Sequence, residues 1–179
     1  MTVLSLLTVA SILFFSSCTN QKDHSSSLST EAASDESMIE TVIKNGLDER
    51  KVKYHRYTNQ DSTITFEMHF KFDDDNDNGF MLYINIFPDD VYQMVSILDK
   101  KIPNHSIDEG IRTINDYNLY AYVVSGCIGP EGQILLRLSR NTDGNTFSKP
   151  AFGADFHMIM TEPEKLSEKL SEKIQLTER

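Results

Sequence analysis

Residues 63–72 (TITFEMHFKF) alternate apolar and polar side chains without interruption. The apolar members are Ile64, Phe66, Met68, Phe70 and Phe72, and the polar ones between them are Thr65, Glu67, His69 and Lys71. Because successive side chains of a β-strand point to opposite faces, this pattern predicts a strand with one buried face. A second apolar run at residues 80–87 predicts its hairpin partner.

The rest of the chain predicts helices and further strands around this hairpin. Helical spacing of apolar residues predicts three helices. The first helix is capped by Ser34 or Asp35 and ends near Gly46. The second spans residues 107–117, with a Ser106–Glu109 capping box and an apolar face of Ile107, Ile111 and Ile114. The third contains Phe152, Phe156, Ile159 and Met160. Pro163, with Thr161 and Glu164 as another capping box, predicts a new helix start. The stripe Leu166, Leu170 and Ile174 is expected to cover its own domain, with packing against a partner as the alternative. Further strands are predicted at 52–57, 91–98, 120–127 and 133–139.

These elements predict an α+β fold. We expect an antiparallel sheet of about five to six strands, with helices on one face and the order α-β-β-β-β-α-β-β-α. The domain is expected to span residues 36–179.

The N-terminus has the features of an export signal. Residues 3–15 form an apolar run of thirteen, too short for the usual spanning helix of about 17 to 25 residues. The run leads through Ser16 and Ser17 into Cys18, which resembles the lipobox of bacterial lipoproteins. The resemblance implies a signal peptide at 1–17, lipidation of Cys18 and membrane anchoring at the bacterial cell envelope. The alternative is an ordinary secretory signal with an incidental cysteine.

Composition limits the remaining possibilities. Residues 18–35 are polar and rich in serine, which predicts a disordered tether. The formal net charge of -10 argues against nucleic-acid binding, because phosphate contacts require a basic surface. No nucleophile-elbow, zinc-protease, dinucleotide or P-loop pattern occurs in the sequence, so we expect neither enzymatic activity nor a cofactor.

The acidic loop at 73–79 (DDDNDNG) is the most suggestive local motif. From Asp74 it fits the opening of a calcium loop, with Asp74, Asn76 and Asn78 as alternate oxygen ligands. The twelfth position is Asn85, where such a loop has a bidentate Glu, and the flanks are predicted strands. The simpler interpretation is an exposed hairpin turn.

Cysteine and histidine offer two weaker possibilities. Cys127 lies in a predicted strand among small and apolar neighbours, so we expect a buried, inert thiol. A nucleophile pair with His105 or His157 through space is the alternative. His55 and His69 lie in adjacent predicted strands, but two histidines make at most half of a zinc site.

The domain also resembles a known family. The segments that carry the resemblance are 91–97 with Ile102-Pro103, 111–118 at the end of the second helix, and the turn Gly129-Pro130-Glu131-Gly132. On these residues the chain resembles the YbjN family, whose fold is similar to that of type III secretion chaperones. The resemblance implies protein binding without chemistry, with a possible homodimer. We therefore expect a lipid-anchored, protein-binding or chaperone-like domain, with a small-ligand or calcium-binding lipoprotein as the alternative.

Overall fold

The computed structural model describes residues 37–73, 78–89, 91–121, 123–141 and 147–179. Its helices and strands are α1 (Met38–Glu49), β1 (His55–Thr58), β2 (Ile64–Lys71), β3 (Gly79–Ile86), β4 (Val91–Lys101), α2 (Ile107–Asn118), β5 (Ser125–Ile128), β6 (Gln133–Asn141), α3 (Lys149–Ser171) and β7 (Thr177–Glu178). The strands form one antiparallel sheet in the order β1-β2-β3-β4-β6-β5, and β7 pairs with the end of β4. The predicted α+β class and element order are confirmed, with β7 as an additional short strand.

The alternating stretch forms β2, and its alternation sets the two faces of the sheet. Strand registers place Phe66 opposite Ile84, Ile84 opposite Met94, and Met94 opposite Leu138. All four side chains are buried. The even-numbered residues of β2, β3, β4 and β6 therefore form one buried face, here called the covered face.

All three helices contact the covered face. In α1, Glu40 pairs with Arg56, which lies opposite Phe66. In α2, Ile114 lies against Gly126 of β5. In α3, Asp155 accepts a hydrogen bond from Tyr92 of β4. The odd-numbered residues point the other way, and this side is called the open face.

The N-cap of α1 and the role of Gly46 differ from the prediction. Ser37 is the N-cap and its hydroxyl accepts a hydrogen bond from the Glu40 N–H at 3.1 Å, whereas Ser34 and Asp35 lie outside the described residues. The helix continues through Gly46, so the expected end at this glycine is wrong. A Cβ on Gly46 would lie 2.6 Å from the ring of Phe152, so the glycine serves close packing of α1 against α3.

The bounds of α2 agree with the prediction, but its cap and one residue of its predicted apolar face do not. Ser106 makes no capping hydrogen bond, because it ends a preceding 3-10 turn and has φ -114° and ψ 10° instead of extended backbone. Of the predicted apolar face, Ile114 is buried and Ile107 is half-buried against the core, whereas Ile111 is 45% exposed. The helix also packs through Gly110, Thr113 and Tyr117. The predicted strand at 120–127 starts late, at Ser125, because Tyr120 and Ala121 N–H groups still bond back to Tyr117 and Asn118 carbonyls.

The C-terminal region forms one helix, α3, so the predicted break at Pro163 is wrong. Thr161 does not cap a new helix; its hydroxyl donates to the carbonyls of His157 and Met158 within the same helix. The stripe of Leu166, Leu170 and Ile174 is buried, which confirms that this segment covers its own domain. None of the helices in the described residues has the length and apolar content that a membrane crossing requires.

Candidate protein-binding surface

The open face carries two rows of side chains that run across the sheet. Strand registers place Glu67, Tyr83, Val95, Arg137 and Ser125 in one row. They place His69, Met81, Ile97, Leu135 and Cys127 in the next. Neighbours in such rows are close enough to pack on each other. The rows therefore form a surface that is continuous across five strands.

The middle of this surface is apolar. Met81, Tyr83, Val95, Ile97 and Leu135 are all half-buried, and together they are called the open-face band. They lie on β3, β4 and β6, the three central strands next to β2. Antiparallel sheets with one solvated face usually alternate apolar and polar residues, so a second apolar surface is unusual on a face that no helix of the described residues contacts.

A polar row borders the open-face band on one side. Thr65 donates to the amide oxygen of Asn85 at 2.9 Å, and Gln93 donates to the hydroxyl of Ser139 at 3.1 Å. The registers place these four residues in line across β2, β3, β4 and β6. An apolar centre with a polar border is the arrangement found in protein interfaces.

Two residues of opposite charge lie in the first row, Glu67 on β2 and Arg137 on β6. Glu67 accepts a hydrogen bond from the Tyr57 hydroxyl at 3.4 Å, and Arg137 donates from Nε to the Ser139 hydroxyl at 3.2 Å. Within the described part of the chain, neither Glu67 nor Arg137 forms an ion pair. Burial and the charge of Glu67 raise the pKa of Tyr83, so its hydroxyl stays protonated at neutral pH.

The sheet edge beside α2 is closed by a side chain. The Asn118 amide accepts from the Gly126 N–H at 2.7 Å and donates to the Gly126 carbonyl at 2.9 Å. This pair of bonds occupies the outward donor and acceptor of β5, which an added strand would otherwise use. Partner recognition by strand addition at Gly126 is therefore blocked.

The helix side has a partly buried charged cluster that lines a cavity of about 260 Å³. Arg140 binds Asp155 through two nitrogens, at 2.8 and 3.2 Å, and the Tyr92 hydroxyl donates to the same carboxylate. Burial first, and then the bond and charge of Asp155, raise the pKa of Tyr92 well above its ordinary value. The carboxylate is used fully by its own chain, so the cluster joins α3 to the sheet.

A second cavity, of about 300 Å³, lies between α3 and the segment after α2. Tyr117, Val124 and Met158 are among its lining residues, and the Tyr117 hydroxyl donates to Glu162 at 2.8 Å. Burial and this bond raise the pKa of Tyr117. The volume is at the lower limit of small-ligand pockets, and most of the lining is apolar.

The calcium prediction falls mostly outside the described residues. Asp74 and Asn76 lie there, as does the predicted lipidation site Cys18. Asn78 is half-buried, and its carbonyl accepts from the Phe72 N–H at 3.0 Å as part of the hairpin closure. A Cβ on Gly79 would lie 2.0 Å from the Phe70 carbonyl oxygen, so strand pairing alone accounts for this glycine. Calcium binding therefore stays a prediction.

Cys127 is exposed, so the expectation of a buried thiol is wrong. It occupies an outward position of β5, at the end of the second row. Neighbouring side chains still withdraw its sulfur from water, which raises the pKa of the thiol against an opposing effect of Arg137. A raised pKa reduces the thiolate fraction that nucleophilic catalysis needs.

The histidines do not complete a metal or catalytic site. His157 is exposed on α3, on the opposite side of the sheet from Cys127, and His105 is exposed in the 3-10 turn before α2. His55 faces Glu67 rather than His69, and His69 bonds Asp99 at 2.9 Å. In the described ranges no three His, Cys, Asp or Glu residues are placed to hold a metal ion.

Sequence reasoning missed the open-face band, although a signal for it was present. Residues 80–87 and 91–98 are nearly continuous apolar runs, whereas β2 alternates strictly. A continuous run indicates a strand with apolar groups on both faces. Comparison with protein-family models found no match to the chain, and comparison with curated proteins found none either.

Proposed function

We propose that this domain binds another protein through the open-face band, without catalysing a reaction. The observation that carries the proposal is a continuous apolar surface, from Met81 to Leu135, on the face that the helices do not contact. Burying such a surface against a partner removes apolar area from water, which is the main favourable term in protein association.

A protein fits this surface better than a small molecule does. Small-ligand sites are concave and enclose most of the ligand, whereas the open-face band lies on the outside of a sheet. Its polar border and the charges of Glu67 and Arg137 suit the rim of an interface. The resemblance to the YbjN family supports the same non-catalytic role.

The proposed place of action is the bacterial cell envelope. A lipid on Cys18, as the lipobox resemblance implies, would hold the domain at the membrane. We therefore infer a lipid-anchored binding module.

Photo-crosslinking in cells tests the proposal with the full-length chain. A photoreactive phenylalanine analogue replaces Val95 in the open-face band, and a matched variant carries it at the exposed Glu164 of α3. We expect a covalent protein adduct from position 95 and little or none from position 164. Equal adducts from both positions, or none from position 95 in a normally folded variant, would contradict the proposal.

A further inference from the structure

We propose that the cavity between α3 and the segment after α2 is a binding site for a small aromatic carboxylate. Lys169 would bind the carboxylate group, and the apolar part of the lining would contact the ring. None of the described residues that line this cavity belongs to the open-face band. The inference therefore adds a second site to the proposed function and does not rest on it.

One wall of the cavity is a single stripe of α3. Met158, Glu162 and Lys169 line the cavity, and they follow one another at intervals of four and seven residues. Residues at these intervals lie on the same side of an α-helix. At about 1.5 Å of rise per residue, Glu162 and Lys169 are about 10 Å apart along the axis. The acidic and the basic group are thus separated by about two turns.

The opposite wall comes from the end of α2 and the segment that follows it. Tyr117 and Val124 are its buried part, at 9% and 4% exposure. Tyr120 and Val123 line the same cavity but are 79% and 36% exposed. Large apolar side chains that face water beside a cavity would be covered by an apolar ligand, and this burial would favour binding.

The types of lining residue favour an aromatic ligand. Two tyrosine rings, of Tyr117 and Tyr120, and the thioether of Met158 line the cavity. Aromatic rings pack favourably on one another, and a thioether sulfur makes favourable contacts with a ring. A volume of about 300 Å³ is at the lower limit of ligand pockets, so the ligand should have one ring and a short side chain.

The charges at the cavity favour an anion. Both carboxylate oxygens of Glu162 are occupied, since the Tyr117 hydroxyl donates to Oε2 and Lys165 donates to Oε1, each at 2.8 Å. Lys169 is half-buried and forms no ion pair or hydrogen bond with another described residue. The uncompensated charge at the cavity is therefore positive. A ligand carboxylate would form a charge-assisted hydrogen bond with it.

Titration of the full-length chain with 3-phenylpropionate tests the inference. The protein carries ¹³C in its methionine methyl groups and is solubilised in detergent. The Met158 methyl signal reports on the cavity and the Met81 signal on the open face, and each is assigned by its loss in a Met→Leu variant. At neutral pH we expect a saturable shift of the Met158 signal, with a Kd of about 0.1 to 1 mM, and no shift of the Met81 signal.

Matched probes test the two parts of the ligand. The neutral 3-phenylpropanamide should bind about tenfold more weakly than the carboxylate, and the cationic 3-phenylpropylamine should give no saturable shift. Hexanoate, which has the carboxylate but no ring, should also bind more weakly. Equal binding of the carboxylate and the amide, or of 3-phenylpropionate and hexanoate, would overturn the inference.

Variants of the lysine test its role. Lys169→Gln should weaken 3-phenylpropionate binding about tenfold and leave binding of the amide unchanged, whereas Lys169→Arg keeps the charge and should bind nearly as the wild type does. Lys173→Gln is the matched control, because Lys173 lies near Glu109 and is not among the lining residues. It should bind as the wild type does. Partition of the probe into the micelle is the same for all variants and cancels.

The remaining outcomes separate this inference from the proposed function. A carboxylate affinity that is unchanged in Lys169→Gln overturns the inference. A wild-type Met158 signal that does not shift, or a shift of the Met81 signal in its place, overturns it as well. These results leave the proposed function standing, because crosslinking from position 95 tests the open face independently. Melting temperatures close to that of the wild type exclude misfolding as the cause of lost binding.

Discussion

The two faces of the sheet use the same strands and differ in what covers them. On β3, Leu82 is fully buried under the helices, whereas its neighbours Met81 and Tyr83 are half-buried on the open face. Both sets are apolar. Apolar character alone therefore does not tell which face holds the fold together, and only the placement of the helices separates core residues from binding residues.

Polar side chains on the two faces also differ in how deeply they are buried. On the covered face, Asp155 is buried and receives hydrogen bonds from Arg140 and Tyr92. On the open face, His69 and Asp99 form a pair whose histidine is 43% exposed. Burial makes a polar interaction expensive to break, because the remaining partner loses water without compensation. The covered face should therefore dominate stability, and the open face should contribute little to it.

The largest expected difference between the faces is in apolar packing. Leu82→Ala should lower the free energy of unfolding by about 3 kcal/mol, because it leaves a cavity in a fully packed site. Met81→Ala, one residue away on the open face, should lower it by about 1 kcal/mol or less. Urea unfolding of both variants measures the contrast, and equal losses would show that the open face is also part of the folding core.

The hydrogen-bonded side-chain pairs on the two faces give the next contrast. Asp155→Ala should lower the free energy of unfolding by about 2 to 3 kcal/mol. The loss is moderate because Arg140 is 45% exposed and can be hydrated again once its partner is removed. Asp99→Ala removes the partner of His69 on the open face and should cost about 0.5 kcal/mol. Thermal unfolding at neutral pH compares the two variants, and a larger loss for Asp99→Ala would reverse the comparison.

Alkaline pH should act mainly through the covered face. The folded-state pKa of Tyr92 is raised, so its stabilising effect is complete below the unfolded-state pKa of about 10 and is lost as pH rises toward the folded-state value. Above pH 10, Tyr92 should lower the free energy of unfolding by about 1.4 kcal/mol per pH unit.

Melting temperatures measured between pH 9 and 11.5 test this loss of stability, which should be about 1.4 kcal/mol per pH unit. Tyr92→Phe should lower stability at neutral pH and flatten the decline above pH 10. Tyr83→Phe, whose hydroxyl lies on the open face, is the control and should change the slope less. A slope that is identical in the wild type and Tyr92→Phe would show that Tyr92 does not contribute.

The closed edge of β5 gives a smaller effect. Asn118→Ala removes both bonds to Gly126 and should cost about 1 kcal/mol, because Asn118 is half-buried and water can replace part of the loss. Hydrogen exchange at the Gly126 amide should become faster. Asn115→Ala, at an exposed position on the same helix, is the control and should leave that amide unchanged.

The smallest effect concerns Cys127. Cys127→Ser should change stability by less than about 0.5 kcal/mol, because the side chain is exposed on the open face. An alkylating reagent should modify Cys127 in the folded protein, at a rate that rises with pH and stays below that of the denatured chain. Mass spectrometry of the modified peptide measures the rates, and a thiol that reacts only after denaturation would contradict its exposure.

Local patterns predicted the elements more accurately than the ends or the caps. The alternation at residues 63–72 predicted β2 because a period of two follows from strand geometry itself. Ser106 and Pro163 misled the prediction, because a capping motif takes effect only if the backbone has the required conformation. Gly46 misled it for another reason: a packing contact with Phe152, more than a hundred residues away, determined its role.

The open-face band could not be predicted from local patterns, because it depends on contacts between strands. The apolar runs at 80–87 and 91–98 contained four of its five residues, but their grouping with Leu135 required the registers that join Met81 to Ile97 and Ile97 to Leu135. The exposure of Cys127 likewise followed from its outward position on an edge strand. Sequence neighbours alone had suggested burial.

The sequence by itself determined the α+β class, the element order and the strand alternation, because these follow from periodicity within short segments. The tertiary structure alone decided which apolar face the helices cover and which stays open, because that choice depends on long-range packing. It also aligned Glu67, Tyr83, Val95 and Arg137 in one row. Strand register sets such rows, and register is a property of paired strands rather than of any one segment.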